Sequence, residues 1–173
     1  MGYREQKGGI AGNDTQSKPL TPYPLATPSR ILFVCHGNIC RSPMAQSILT
    51  HIVRERGWAE NFVINSAGVT DEAVGCSVDN RTVEILTKNG VEVIPHTARK
   101  ISPKEYTDWD KFILMDRQNM YYMKYIFPSD PENKIRLMLP IKDIVDPWYT
   151  GDFKRTFDEI VRGCNEFLAD NYE

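Results

Sequence analysis

The sequence has no surplus of charge. Its 21 Lys and Arg face 23 Asp and Glu over 173 residues, a formal net charge of −2. No long-range field gathers polyanions or anionic lipid, so nucleic acid and membrane are not expected partners. Although 41% of the residues are hydrophobic, no run approaches the roughly 20 apolar residues that a membrane span needs. The N-terminal stretch has no apolar segment of secretory type, and MGYREQ carries Gln6 where a myristoylation site has Ser or Thr. The expected location is cytoplasmic. Cysteine is scarce as well. Cys35, Cys40, Cys76 and Cys164 show no repeated spacing, and no second ligand pair completes a zinc site with Cys35 and Cys40, so free thiols are expected and neither a metal nor a cofactor is implied.

What is present divides the chain in two. Residues 1–28 contain Pro19, Pro22, Pro24 and Pro28 with four glycines and scattered apolar side chains, too few to offset their own ordering entropy, and read as a disordered extension. Residues 29–173 suffice for one hydrophobic core and read as a single domain. Ile31 to Val34 is wholly apolar, as in a strand buried on both faces. A glycine-bearing loop follows, and Ser42 with Pro43 supplies an N-cap and a first helical residue for a helix marked by Ala45, Ile48, Leu49, Ile52 and Val53. Phe62 to Asn65 reads as a second strand, Asp79 to Lys88 as a helix stopped by Asn89 and Gly90, and Lys111 to Met115 as a third strand. A helix follows from Arg117, then a fourth strand from Ile135 to Leu139. Phe153, Phe157, Ile160, Val161, Cys164, Phe167 and Leu168 mark one face of a last helix. The alternation predicts an α/β fold, a four-stranded, mainly parallel sheet with helices on both faces, whose ligands bind at the carboxyl ends of the strands.

The segment from Cys35 to Ser42, CHGNICRS, lies at such an end. Backbone N–H groups of His36, Gly37, Asn38, Ile39, Cys40 and Arg41, between a strand end and a helix start, can turn inward around a dianion. Gly37 removes a side chain from the crowded turn, and Asn38 tolerates a left-handed conformation. Arg41 offers a planar fork of donors to two phosphate oxygens. The same groups favour a thiolate at Cys35, the nucleophilic form of the residue. The Ser42 hydroxyl has two possible uses, capping the helix or donating to the Cys35 sulfur. Cys40, in the same tight loop, is a candidate redox partner able to trap an oxidised Cys35 as a disulfide.

VCHGNICRSPMA, from Val34 to Ala45, resembles the active-site signature of low-molecular-weight protein tyrosine phosphatases. The resemblance continues through Ser66 to Gly68, Asp79 with Arg81, His96 to Ile101, Met115-Asp116 and Asp146 to Tyr149. It implies a three-layer, flavodoxin-like fold of phosphotyrosine phosphatase I type, and a nucleophile at Cys35 with Arg41 binding phosphate. Asp146 is implied as general acid and then base, worth ~10²–10⁴-fold in rate. It further implies loop support from Asn38, Ser42, Ser66 and His96, and an aromatic wall from Trp148 and Tyr149. The substrates expected are phosphotyrosine proteins or aryl phosphates, with inorganic phosphate as product and a monomer or weak dimer as the working form.

Three departures from the family pattern stand out. Glu72 stands where an aromatic wall is usual, His36 brings a titratable group to the mouth of the cleft, and Cys76-Ser77-Val78 replaces a proline-bearing stretch before Asp79. Two other activities share the fold. A thioredoxin-coupled arsenate reductase needs two more cysteines beyond the second helix, and Glu84 to Asn133 contains none. Phosphoarginine phosphatases tend to carry Thr where this chain has Ile39, whose bulk leaves less room for a guanidinium.

Overall fold

The structure is a computed structural model, described here for residues 25–173. The expected extension, residues 1–28, therefore lies outside the described residues except for its last four. Strand β1, Ser29–Cys35, occupies the interior of a four-stranded sheet of order β2-β1-β3-β4, with β2 at Phe62–Gly68, β3 at Lys111–Leu114 and β4 at Ile135–Leu137. All three pairings are parallel. Helices α1 (Arg41–Glu55), α2 (Asn80–Lys88), α3 (Arg117–Ile126), α4 (Pro147–Thr150) and α5 (Phe153–Tyr172) connect or follow the strands.

The period-2 geometry of a strand explains why Ile31 to Val34 is apolar throughout. Ile31 and Phe33 pack into a cluster with Met44, Ile48 and Leu49 of α1 and Ile160, Cys164 and Leu168 of α5. Leu32 and Val34 face the other way, into a cluster with Phe112 and Leu114 of β3 and with Met123 and Phe127. Helical layers therefore cover both faces, as the alternation predicted. Complete burial of each such side chain contributes about 1.5–3 kcal/mol. The apolar face expected for α5 is buried at six of its seven positions, Val161 being half-buried.

The boundaries differ in ways that shape the site. Strand β2 runs three residues beyond Asn65, because Ser66, Ala67 and Gly68 continue the ladder opposite Phe33, Val34 and Cys35. Strands β3 and β4 stop at Leu114 and Leu137, although Met138 still donates its N–H to the Leu114 carbonyl at 2.7 Å. Asp79 caps α2, accepting the Arg81 N–H at 2.9 Å, and Gly90 after it has φ 71°. The expected start of α1 is corrected. Its N-cap is Cys40, with no side-chain cap, since the Cys40 carbonyl already accepts the Met44 N–H at 3.1 Å. Pro43 becomes the third helical residue, where its missing N–H still falls among donors that have no helical partner.

Candidate active site

The loop between β1 and α1 is built around Asn38, which has φ 62° and is fully buried. Its Oδ1 accepts the Arg99 N–H at 2.9 Å, which fixes the orientation of the amide. Nδ2 then donates to Ser42 Oγ at 2.8 Å and to Ser66 Oγ at 3.0 Å. Ser66 passes its own hydrogen to Gln46 Oε1 at 2.9 Å. Ser42, already an acceptor, has its hydroxyl 2.9 Å from Cys35 Sγ, and the Asn38 N–H reaches the same sulfur at 3.3 Å. Ser42 is thus directed at the nucleophile and does not cap the helix.

His96 supports the loop from below. Its Nε2 lies 2.8 Å from the Asn38 carbonyl, which can only accept, so the ring carries its hydrogen there. Burial pushes the His96 pKa down, the carbonyl bond opposes this, and the Arg99 charge adds to it, leaving the neutral ring favoured.

Arg41 is buried to 2% exposure. Nη1 donates to Asp116 Oδ2 at 2.5 Å and to the Ile144 carbonyl at 2.8 Å, and Nη2 lies 3.4 Å from Asp146 Oδ2. Burial acts to lower its pKa, but the charges of Cys35, Asp116 and Asp146 outweigh this and raise it. Asp116 also caps α3 through Oδ1, which accepts the Asn119 N–H at 2.7 Å. One carboxylate therefore anchors both the helix and the cation. Asp146 is the N-cap of α4, its Oδ1 accepting the Trp148 N–H at 3.1 Å, with Pro147 stiffening the first helical position.

These groups meet at a cleft of about 350 Å³, lined by Cys35 to Arg41, Glu72, Ala73, Cys76, Asp146, Trp148 and Tyr149. Cys35, Arg41 and Asp146, separated by up to 111 positions, come together, as do the expected wall residues Trp148 and Tyr149. Ser42, Ser66 and His96 stand behind the loop. The departures at His36 and Glu72 prove to be one feature, since His36 Nε2 lies 2.9 Å from Glu72 Oε2 and the imidazole sets its edge against Tyr122, with centroids 5.8 Å apart. Cys40 is buried, and its thiol is pushed up to about 12 by burial, then by the charges of Asp79 and Cys35. Cys76, for which the sequence suggested no role, is exposed on the cleft.

Sequence reasoning missed several supports. Gln46 lies one helical turn after Ser42 and so shares its face, a signal that was readable. Asp116 stands just beyond β3, beside Cys35 only because β3 neighbours β1. Gly68 has a steric role: a Cβ there would lie 2.8 Å from the His36 carbonyl oxygen and 3.2 Å from Asn38 Cβ.

Residues 30–171 match the family model described as low molecular weight phosphotyrosine protein phosphatase. A relative of that name from Sus scrofa is 35% identical over 147 residues, covering 80% of this chain and 92% of its own. The crystal structure of YfkJ from Bacillus subtilis superposes with a TM-score of 0.79 at 31% identity, covering 83% of this chain and 94% of that one. A Drosophila arginine phosphatase superposes with a TM-score of 0.72 at 31% identity, covering 81% of this chain and 96% of that one.

Proposed function

The chain belongs to the low molecular weight phosphotyrosine protein phosphatase family, and from that premise we propose that Cys35, Arg41 and Asp146 hydrolyse phosphotyrosine in proteins, and small aryl phosphates, through a phosphocysteine. The observation that carries the reading is the convergence of sulfur, guanidinium and carboxylate on one cleft, with the Ser42 hydroxyl 2.9 Å from the sulfur.

In the first step Cys35 Sγ attacks phosphorus, the bond to the phenolic oxygen breaks, and Asp146 in its acid form gives its proton to that oxygen. Backbone N–H groups of residues 36–41 and the Arg41 fork stabilise the equatorial oxygens. In the second step the Asp146 carboxylate takes a proton from water as the water oxygen attacks phosphorus. The S–P bond breaks, the thiolate leaves toward the Ser42 hydroxyl, and inorganic phosphate is released. Trp148 and Tyr149 flank the substrate ring. Ile39 lines the cleft and favours a planar phenyl ring over a guanidinium.

In this reading residues 29–173 are the phosphatase domain, acting in the cytoplasm as a monomer or weak dimer. Free thiols at Cys35, Cys40, Cys76 and Cys164 suit that reducing compartment. Among the described residues no helix is long and apolar enough to cross a membrane.

The test is hydrolysis of 4-nitrophenyl phosphate by the parent, Cys35→Ser and Asp146→Asn proteins, followed by phosphotyrosine, phosphoarginine and phosphoserine peptides. Turnover by the parent alone, fastest on phosphotyrosine, is expected. An inert parent or an active Cys35→Ser protein overturns the chemistry, and a preference for the phosphoarginine peptide overturns the substrate.

A further inference from the structure

The acid and the nucleophile of this site sit on separate segments, and α4, the short helix that Asp146 caps, is only four residues long. A contact chain links the two. The Asp79 N–H donates to the Ile39 carbonyl at 2.9 Å, fastening the start of α2 to the loop that cradles phosphate. The Asp79 carboxylate then grips Arg81, with Oδ1 accepting the backbone N–H at 2.9 Å and Nε at 3.1 Å, and Oδ2 accepting Nη2 at 3.1 Å. A guanidinium held at two of its three nitrogens has little freedom left. It lies 5.3 Å from the Trp148 ring centroid and 4.7 Å from that of Phe153, on either side of the Gly151 turn that ends α4. The backbone N–H of Trp148 in turn donates to the Asp146 carboxylate.

We propose that Arg81 is a positioning residue that holds the Asp146 segment in register with the phosphate-binding loop, acting through Trp148; the proposal rests on the phosphatase reading above. A solvated surface arginine would need no such double stacking, and an ion pair two residues apart would fix only the start of α2. The two aromatic contacts carry the grip to the segment that bears the acid. Arg81 does not line the cleft itself, whereas Trp148 does.

The consequence is selective. Phosphate capture by the loop and Arg41 does not need Arg81, whereas proton delivery to the leaving oxygen does, and a poor leaving group depends on that proton more than a good one. The experiment compares kcat/KM for phenyl phosphate and 4-nitrophenyl phosphate in the parent, Arg81→Met, Arg81→Lys, Trp148→Leu and the Arg81→Met/Trp148→Leu double variant, with inhibition by inorganic phosphate measured alongside. Arg81→Met should lose roughly 5- to 10-fold on phenyl phosphate and less than about 2-fold on 4-nitrophenyl phosphate, a fraction of the full worth of a general acid. Phosphate inhibition should stay unchanged. Arg81→Lys, which keeps a cation over the rings, should recover part of the loss. In the Trp148→Leu background Arg81→Met should cost nothing further. Equal losses on both esters, weakened phosphate inhibition in proportion, or fully additive effects with Trp148→Leu would overturn the role. A parent inert on both esters would overturn the phosphatase reading itself, and the Arg81 role with it.

Discussion

The Ser42 hydroxyl lies 2.9 Å from Cys35 Sγ while it accepts the Asn38 amide at 2.8 Å. The amide hydrogen occupies one lone pair, and the serine's own hydrogen can turn to the sulfur or to the more distant Ala67 carbonyl at 3.5 Å; an anionic sulfur can only accept, so the hydroxyl then donates to it. The interaction matters most when sulfur is anionic, which is when the thiolate is expelled from phosphocysteine. A hydrogen bond to a charged group contributes about 1.5–3 kcal/mol. Ser42→Ala should therefore lower kcat by roughly 10- to 100-fold. The rapid first release of 4-nitrophenol should persist, so that phosphoenzyme accumulates. Stopped-flow measurement of the burst distinguishes this from a slower first step, in which the burst would vanish.

Gly68 is a second support with no chemistry of its own. A methyl group there would press on the His36 carbonyl at 2.8 Å and on Gly37 C at 3.2 Å. Both contacts are with the loop backbone, so relief requires the loop to move. Misplacement of a site by about 1 Å costs on the order of 10²-fold. Gly68→Ala should reduce kcat/KM by at least roughly tenfold and weaken inhibition by inorganic phosphate, readable in steady-state assays. A variant with normal phosphate inhibition would show that the loop is free to yield.

How much of this was legible from sequence depended on whether a residue's role is set locally. Ile31 to Val34 and the loop from Cys35 to Arg41 sit where strand or turn chemistry exposes them within a few residues, and both were read; Asp146 was reached only through the resemblance at Asp146 to Tyr149. Asp116 was not given its role, because its carboxylate reaches Arg41 only when β3 lies beside β1, a matter of sheet order. Gly68 and the Arg99 N–H depend on the same long-range juxtaposition. The cap assigned to Ser42 failed differently. Cap and sulfur contact both call for a hydroxyl at the start of α1, and only its direction separates them. His36 and Glu72 looked like two unrelated departures because a side-chain contact across 36 positions leaves no mark in a single sequence.

His96 gives the fold a pH dependence whose sign can be worked out. Its folded-state pKa is lowered, chiefly by burial, so the unfolded chain takes up a proton at about 6.5 while the folded one still resists it. The stabilising contribution is complete above the unfolded value and is lost as pH falls from there toward the folded value. Urea denaturation at stepped pH should show stability declining below about pH 6.5. His96→Gln keeps a donor for the Asn38 carbonyl but does not titrate, so it should flatten that decline. An unchanged slope in the variant would assign the dependence to other groups.

Cys40 shares the loop with the nucleophile, but its own thiol is held protonated. Burial, then Asp79 and the Cys35 charge, push its thiol up to about 12, so at neutral pH it remains protonated and a poor nucleophile. Cys164 is fully buried, within the α5 core, where burial alone pushes its thiol up. Cys76 is exposed. Iodoacetamide at neutral pH should accordingly modify Cys76, and Cys35 in a manner prevented by inorganic phosphate, while leaving Cys40 and Cys164 intact, as peptide mass spectrometry can show. Asp79→Asn removes the second cause of the Cys40 shift without exposing the thiol, and should speed its alkylation at alkaline pH. If Cys40 reacts as fast as Cys76 in the parent, neither burial nor the raised pKa of its thiol protects it.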